Sequence, residues 1–500
     1  MTLNRKTSAL FFRIAAKVTA TLLASTACGG SGTPGGDAGT PTGPPAPVVV
    51  YRMLVMGGYD QGGEAGTLLP KAVAVRVMDS VTNAPIPSAV VLFQPSAGSG
   101  VLSADSAITD ASGDASVRWT LGPAAGGTQH VQASLRKAPQ IAFTFDASVA
   151  SGRVRAVSLA SGADHSCALL ATKKVVCWGA NGAGQLGDGT TAIRSFAVPV
   201  VNAPDFEQLV VGGSHSCGLT ASGETWCWGQ NLYASVGDGT DVPRPTPVKV
   251  ATGLVFTQIV AGGEFTCGLT APGDVYCWGL LYPNIVTQPQ DVSKGTRFRS
   301  LSRAGLQLCG IGLDGASRCT DSTVTASGVN GGPSDAWRTM NAPLPGLSGF
   351  VGFWNNACAL DAGGAAYCWG MDNEWGQFGL GNTSPVTGPQ PVSGGLTFQK
   401  LYDGQDYFCG VTAAGKTYCW GHNTYSQLGA AAGQQVVAPR LMDFGTLSFT
   451  SLAGGSSHFC GIATDTTVYC WGSTTFGALG DGSDTGPNAG RVTPAPVLLR

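Results

Sequence analysis

Charge is scarce in this 500-residue sequence: Lys, Arg, Asp and Glu together make up 12%, and the formal net charge is −2. Nucleic-acid binders carry a basic excess to neutralise phosphates, so that class of partner is excluded. No apolar run reaches the roughly 18 residues that a membrane-crossing helix requires. Histidine is rarer still, with five residues in the whole chain. The Gly-x-Ser-x-Gly elbow, the His-Glu-x-x-His pair and the phosphate-binding loop are missing, so no catalytic residue, cofactor or metal site is assigned and a non-enzyme is expected. Cysteine is absent from residues 29–166. What the chain has in abundance is glycine, 74 residues, with 29 prolines and 43% hydrophobic residues. That mixture is too apolar for disorder and fits an all-β protein with many turns. The length implies two or three domains.

Past residue 166 cysteine becomes a ruler. Fourteen fall as pairs: Cys167 and Cys177, Cys217 and Cys227, Cys267 and Cys277, Cys309 and Cys319, Cys358 and Cys368, Cys409 and Cys419, Cys460 and Cys470. Seven copies of a unit near fifty residues predict a repeat architecture, and its closed form is a propeller. In the second copy Cys217-Gly-Leu-Thr220 and Glu224-Thr-Trp-Cys227 flank Ala221-Ser222-Gly223. Glycine holds the last loop position at Gly223, Gly273, Gly315, Gly364 and Gly415. A three-residue hairpin loop ends in a left-handed residue, which glycine adopts without penalty. Folding about Ser222 pairs Thr220 with Glu224 and sets Cys217 opposite Cys227, at a non-hydrogen-bonded position where Cα atoms approach closely. Seven disulfides are predicted, one inside each hairpin. Zinc is the competing reading, but it wants four converging ligands with a tight pair, and these pairs are spread around a ring. Disulfides imply an oxidising compartment.

Other positions repeat with the ruler. Glycine lies five before the first cysteine at Gly162, Gly212, Gly262, Gly404 and Gly455. Trp-Gly follows the second cysteine at Trp178, Trp228, Trp278, Trp369, Trp420 and Trp471. Turn segments follow, such as Gly184-Gln-Leu-Gly187-Asp-Gly and Ser426-Gln-Leu-Gly429, and then a Pro-Val strand start at Pro199, Pro247, Pro391 and Pro496. The pattern Gly-x-x-His-x-Cys-x-Leu, Cys-Trp-Gly-x-Asn, Gly-Gln-Leu-Gly-Asp-Gly resembles the regulator-of-chromosome-condensation repeat, over residues 153–500. The resemblance implies a seven-bladed propeller, and the paired cysteines are similar to its secreted bacterial branch. Two copies depart from it. The fourth has Thr320 after Cys319 and no Gln-Leu-Gly segment, and the third runs Leu280-Leu-Tyr-Pro-Asn in its place.

The chain begins differently. Arg5, Lys6, Arg13 and Lys17 precede an apolar stretch from Val18 to Ala24, and Ser25-Thr26-Ala27-Cys28 follows. Residues 1–27 read as a secretory signal. Cys28 resembles the lipidated cysteine of bacterial lipoproteins, although Ser25 stands where that box usually has Leu, which leaves ordinary cleavage after Ala27 as the alternative. Residues 28–46 read as a flexible tether. In residues 47–149, alternation over Ala72–Met78 and the run Ala89–Phe93 predict strands of a β-sandwich. Thr109-Asp110-x-x-Gly113 resembles a turn of bacterial immunoglobulin-like domains of the invasin type, which implies a stalk.

His165, His215 and His458 each lie two before a first cysteine, and a position reused in several copies reads as structural. The same argument makes Trp375, aligned with Tyr233 and Tyr425, a packing residue. The Gly223-Glu-Thr-Trp226 likeness to a sialidase hairpin lacks that hairpin's aspartate. The loops of copies three to five depart most from the repeat, and Tyr282, Trp337 and Trp354 are their candidate partner-binding anchors. The reading is all-β: a seven-bladed β-propeller preceded by an immunoglobulin-like β-sandwich, on a lipid-anchored surface protein. An extracellular protein or glycan is the expected partner, the membrane is met only through the lipid, and a monomer is expected. The alternative is a secreted, propeller-type enzyme inhibitor; exchange-factor and glycosidase roles rank lower.

Overall fold

The computed structural model describes residues 49–500 except 59–60, 125, 282–283, 306, 325–329, 340–345, 354–355, 371, 385, 431, 434 and 484–488. The signal, the tether and Cys28 lie outside the described residues. The chain divides into two units. One holds the residues up to 60 with 66–123 and 129–147; the other holds 61–65, 124–128 and 148–500.

In the first unit Tyr51–Gly57, Val73–Asp79 and Asp114–Val117 form one antiparallel sheet. In a second sheet Val90–Pro95 lies between Ser106–Ile108 and Thr128–Leu135. Alternation decides what is buried: Val73, Val75 and Val77 point inward on one strand, Val131, Ala133 and Leu135 on another. The Thr-Asp-x-x-Gly turn is held by its own side chains. Thr109 Oγ1 donates to the Ile86 carbonyl and accepts from the Ala89 amide. Asp110 accepts from the Ser112 and Asp114 amides, and Gly113 takes a φ of 79°.

The second unit is built of sheets whose first four strands follow chain order. The second sheet runs Gln208–Val211, His215–Leu219, Thr225–Gly229, Arg244–Lys249, all antiparallel. Seven sheets of this kind follow one another among the described residues. Their first strands stand side by side, and the last, Phe449–Gly454, lies against the first, Ser158–Ser161. The result is a β-propeller, in which radial repetition replaces long exposed edges. Both ends of the repeat region close the ring. Leu498–Leu499 adds in parallel to Arg194–Pro199 of the first sheet and pairs with Gly152–Arg153. The Val154 carbonyl accepts from Val468 of the seventh sheet, and the Val154 amide donates to Val497.

Inside each sheet the cysteine ruler works as expected. All seven pairs are disulfides with Cα atoms 4.0–4.1 Å apart. The Thr220 amide donates to the Glu224 carbonyl, the Glu224 amide donates to Thr220 Oγ1, and Cys217 faces Cys227. The loop-ending residue is left-handed in every copy. Gly223, Gly273, Gly315, Gly364 and Gly415 have φ between 72° and 95°, and where glycine is absent Lys173 and Thr466 adopt 64° and 71°. The Pro-Val expectation is corrected: Pro199, Pro391 and Pro496 end the fourth strands, which begin at Arg194, Val386 and Gly490, and Pro247 falls inside Arg244–Lys249. Proline, lacking an N–H, is tolerated on fourth strands that stand at a sheet edge, such as Val386–Pro391 and Gly490–Pro496.

Candidate functional site

What joins one sheet to the next explains most of the repeat. The glycines five before each first cysteine sit where main chains of adjacent sheets meet. A Cβ at Gly162 would stand 2.3 Å from the Gly212 carbonyl, and one at Gly212 would stand 2.5 Å from the Gly262 carbonyl. That closeness lets amides bond around the ring: Gln405 to Gly455, Ser456 to Ala163, Ala163 to Gly213, and Gly213 to Gly263. Gln208 and Gln258 add side-chain amides that both donate to and accept from the next inner strand, at Ile259 and Leu301.

The histidine, hydroxyl, tryptophan and Gln-Leu-Gly positions form one clasp. Trp228 Nε1 and Ser216 Oγ of the second sheet both donate to the Gln185 carbonyl of the first, at 3.0 and 3.1 Å. Ser216 Oγ in turn meets His165 Nε2 of the first sheet at 3.0 Å. Because the serine proton is spent on Gln185, His165 Nε2 carries the hydrogen and donates. The next junction repeats this: His215 to Thr266, Thr266 and Trp278 to the Ser235 carbonyl. His458 meets Ser166 at 2.8 Å, and Trp178 donates to Ala478 across the closure. Tyr407, at the histidine position of the sixth sheet, donates instead to the Gly455 and His458 carbonyls. These five tryptophans, counting Trp420 on Gln377 and Trp471 on Gln427, are fully buried. The turn itself hangs on Asn181, whose Oδ1 accepts from Leu186 and whose Nδ2 reaches the Thr190 and Ala192 carbonyls. Burial works against ionising Asp188, but Thr190 and Arg194 outweigh it and hold the carboxyl below its usual value.

The third to fifth sheets are joined differently. Five tryptophans reach back to the preceding turn, so the missing turn of copy three matches the missing tryptophan of copy four. Trp337 stands in. It lies directly across the strand pair from Thr320, donates to the Val292 carbonyl of the third sheet at 2.7 Å and packs on Phe298 at 4.2 Å. Trp369, which follows the turnless fourth copy, is only half-buried, edge-on to Phe350. Arg303 of the fourth inner strand pairs with Asp403 of the sixth at 2.6 Å. Burial pushes the Asp403 carboxyl up, and Arg303 opposes that. Burial also raises the Glu264 carboxyl to about 7 and lifts that of Asp164.

Where the compact turns are lost, ribbons take their place. Third strands of the regular sheets end at Gly179 and Gly229, whereas Val275–Leu281 continues into Asn284–Asp291 through the pair Leu281 with Asn284. The fourth sheet extends likewise, Ser317–Val324 with Asn330–Thr339, and this last strand lies against Val275–Leu281. Ile285 is half exposed near the tip of the first ribbon. Of the nominated anchors, Tyr282 and Trp354 lie outside the described residues. Trp337 spends its ring and its N–H on the junction between sheets. The pair of ribbons is the candidate recognition surface. Among the described residues no three His, Cys, Asp or Glu side chains are grouped to hold a metal.

Comparison with known proteins bears on the repeat. Family models described as the regulator of chromosome condensation (RCC1) repeat match residues 156–185, 206–234, 256–280 and 449–478, and a second such model matches 414–462. The mouse E3 ubiquitin-protein ligase HERC2 is 31% identical over 134 residues, 26% of this chain and 3% of that protein. The ultraviolet-B receptor UVR8 of Arabidopsis thaliana is 28% identical over 127 residues, 25% of this chain and 29% of the receptor. The chain thus spans under a third of these relatives. Among solved structures, yeast RCC1 (Prp20) bound to Kap60 matches with a TM-score of 0.55 and 19% identity, covering 69% of this chain and 84% of that one. Prp20p from Saccharomyces cerevisiae, in the structure that examines its binding to Gsp1p and histones, gives 0.56 and 18%, covering 69% and 87%. The chain carries regulator of chromosome condensation repeats, folded as a β-propeller.

Proposed function

We propose that this chain is a non-enzymatic binding platform held at a cell surface by a lipid on Cys28, with residues 47–149 as an immunoglobulin-like stalk. The observation that carries the reading is the replacement of two compact turns by adjacent long ribbons on a ring that is otherwise regular. Loops on a rigid scaffold are where recognition resides. Seven disulfides support an oxidising, extracellular setting. The partner is an extracellular protein or a glycan.

The test substitutes the exposed ribbon residues Asn284→Ala and Ile285→Ser, which leaves the strand in place, and compares binding of the two proteins to intact cells and to arrayed glycans. Loss of binding with an unchanged melting temperature is expected. Undiminished binding by the variant would place recognition elsewhere. Intact mass of the natively extracted protein tests the anchor, through a diacylglyceryl increment on a chain beginning at Cys28.

A further inference from the structure

Four consecutive sheets, the seventh, first, second and third, are joined through imidazoles. His458 reaches Ser166, His165 reaches Ser216 and His215 reaches Thr266, each ring from one sheet to the next. All three rings are buried, with exposure of 0–1%. In His165 and His215 the bonding nitrogen is the protonated Nε2, and Nδ1 is buried without a partner. A second proton would therefore land on a nitrogen that has no acceptor within reach, beside a neighbouring backbone. A Cβ on Gly212, for example, would stand 2.5 Å from His215 Nδ1, which shows how tightly the ring is enclosed.

We infer that this seam is acid-releasable: protonation of His458, His165 and His215 uncouples the four sheets from one another, while the disulfide-closed hairpin of each sheet stays folded.

Of the groups around the rings, the neighbouring histidines reinforce the effect, whereas the raised carboxyls, relieved by protonation, offset part of it. His165 feels His215 and His458, so each protonation opposes the next. Asp164, next to His165 in the chain, and Glu264, two residues before Thr266, are the nearest carboxyls by sequence. Burial raises both, so they add little negative charge in acid. Tyr407 approaches His458 only through the backbone carbonyl. Burial lowers His165 to about 3 and His215 and His458 to about 4. A histidine depressed in the folded state contributes stability above its unfolded value near 6.5, and that stability is lost as pH falls towards the folded value. The third sheet supplies the control residue, because Phe265 occupies the histidine position there against Gly262.

The experiment uses the full disulfide-bonded chain and its H165F/H215F/H458F variant. Tryptophan emission is followed from pH 7.5 to 3.5, reporting Trp178, Trp228 and Trp278 at the junctions. The wild type is expected to show a reversible red shift below about pH 5, and the variant to shift its midpoint down by about one pH unit or more. An identical midpoint in the two proteins would overturn the inference. Should the triple variant not fold, imidazole NMR titration of the wild type decides. No ring of the three titrates above about pH 5 if the seam is as described; titration near 6.5 in a still-folded protein would refute it.

Discussion

The junctions that run from the fifth sheet through the seventh and first to the third differ from the two that flank the fourth sheet, and the hairpins do not. Cys309 and Cys319 face one another in the fourth sheet as Cys217 and Cys227 do in the second. Gly315 is left-handed as Gly223 is. Between sheets the two sectors part. The regular sector has clasps, a ring of bonded amides and buried tryptophans; the other has Trp337, the Arg303–Asp403 pair and a half-buried Trp369. A repeat protein can thus keep its unit while loosening its interfaces, and the freed turns become ribbons. Stability in such arrays is a sum of unit and interface contributions, so the two can drift separately.

The sharpest way to break this comparison is to remove a tryptophan from each sector. Trp228→Ala leaves a cavity and orphans the Gln185 clasp, and should cost about 3–5 kcal/mol. Trp369→Ala, from a half-buried ring, should cost about 1–3 kcal/mol in the same denaturant titration. Equal losses would erase the distinction. Disulfide removal should show no such difference. Cys217→Ala/Cys227→Ala and Cys309→Ala/Cys319→Ala open loops of the same length, and each should cost about 2–3 kcal/mol.

Glu264 tests the border between the sectors. Burial raises its carboxyl to about 7, so the ionised form destabilises the fold above its unfolded value near 4.5. Glu264→Gln should therefore gain about 1–2 kcal/mol at pH 8, allowing for solvent screening, and nothing below pH 4.5. Melting temperatures at the two pH values check it. The smallest effect belongs to the hairpin loops. Gly315→Ala and Gly415→Ala meet open space at Cβ, so only the left-handed backbone resists, by about 1 kcal/mol in either sector. A clear difference between them would show that the hairpins, too, have diverged.

Much of this was legible in residue spacing. Nine residues between cysteines defined the hairpin, its left-handed corner and the disulfide, because those are local consequences of strand geometry. The junctions were not local. Copy three lacks Gln-Leu-Gly and copy four lacks Trp after Cys319, yet the link between the two absences appears only once Trp228 is seen on Gln185. Trp337 reads as a surface anchor in the sequence because it stands in an irregular stretch; its cross-strand position opposite Thr320 depends on a ribbon register that carries no turn signature. Three of the four Pro-Val pairs mark the end of a strand and Pro247-Val248 lies inside one, because proline is compatible with several places on an outer strand. Closure by Leu498–Leu499 on the first sheet rests on one short parallel pairing, with no periodic pattern to reveal it.

The measurement that bears most directly on the two-sector account is amide hydrogen exchange of the disulfide-bonded chain at pH 7. The amides of Gln405, Ser456, Ala163 and Gly213, which bond from sheet to sheet, should exchange among the slowest in the protein, and those of Ile285 and Val286 on the third-sheet ribbon far faster. Similar protection in both places would contradict the account, because the junctions of the regular sector would then hold the ring no more firmly than the ribbons that replaced its turns.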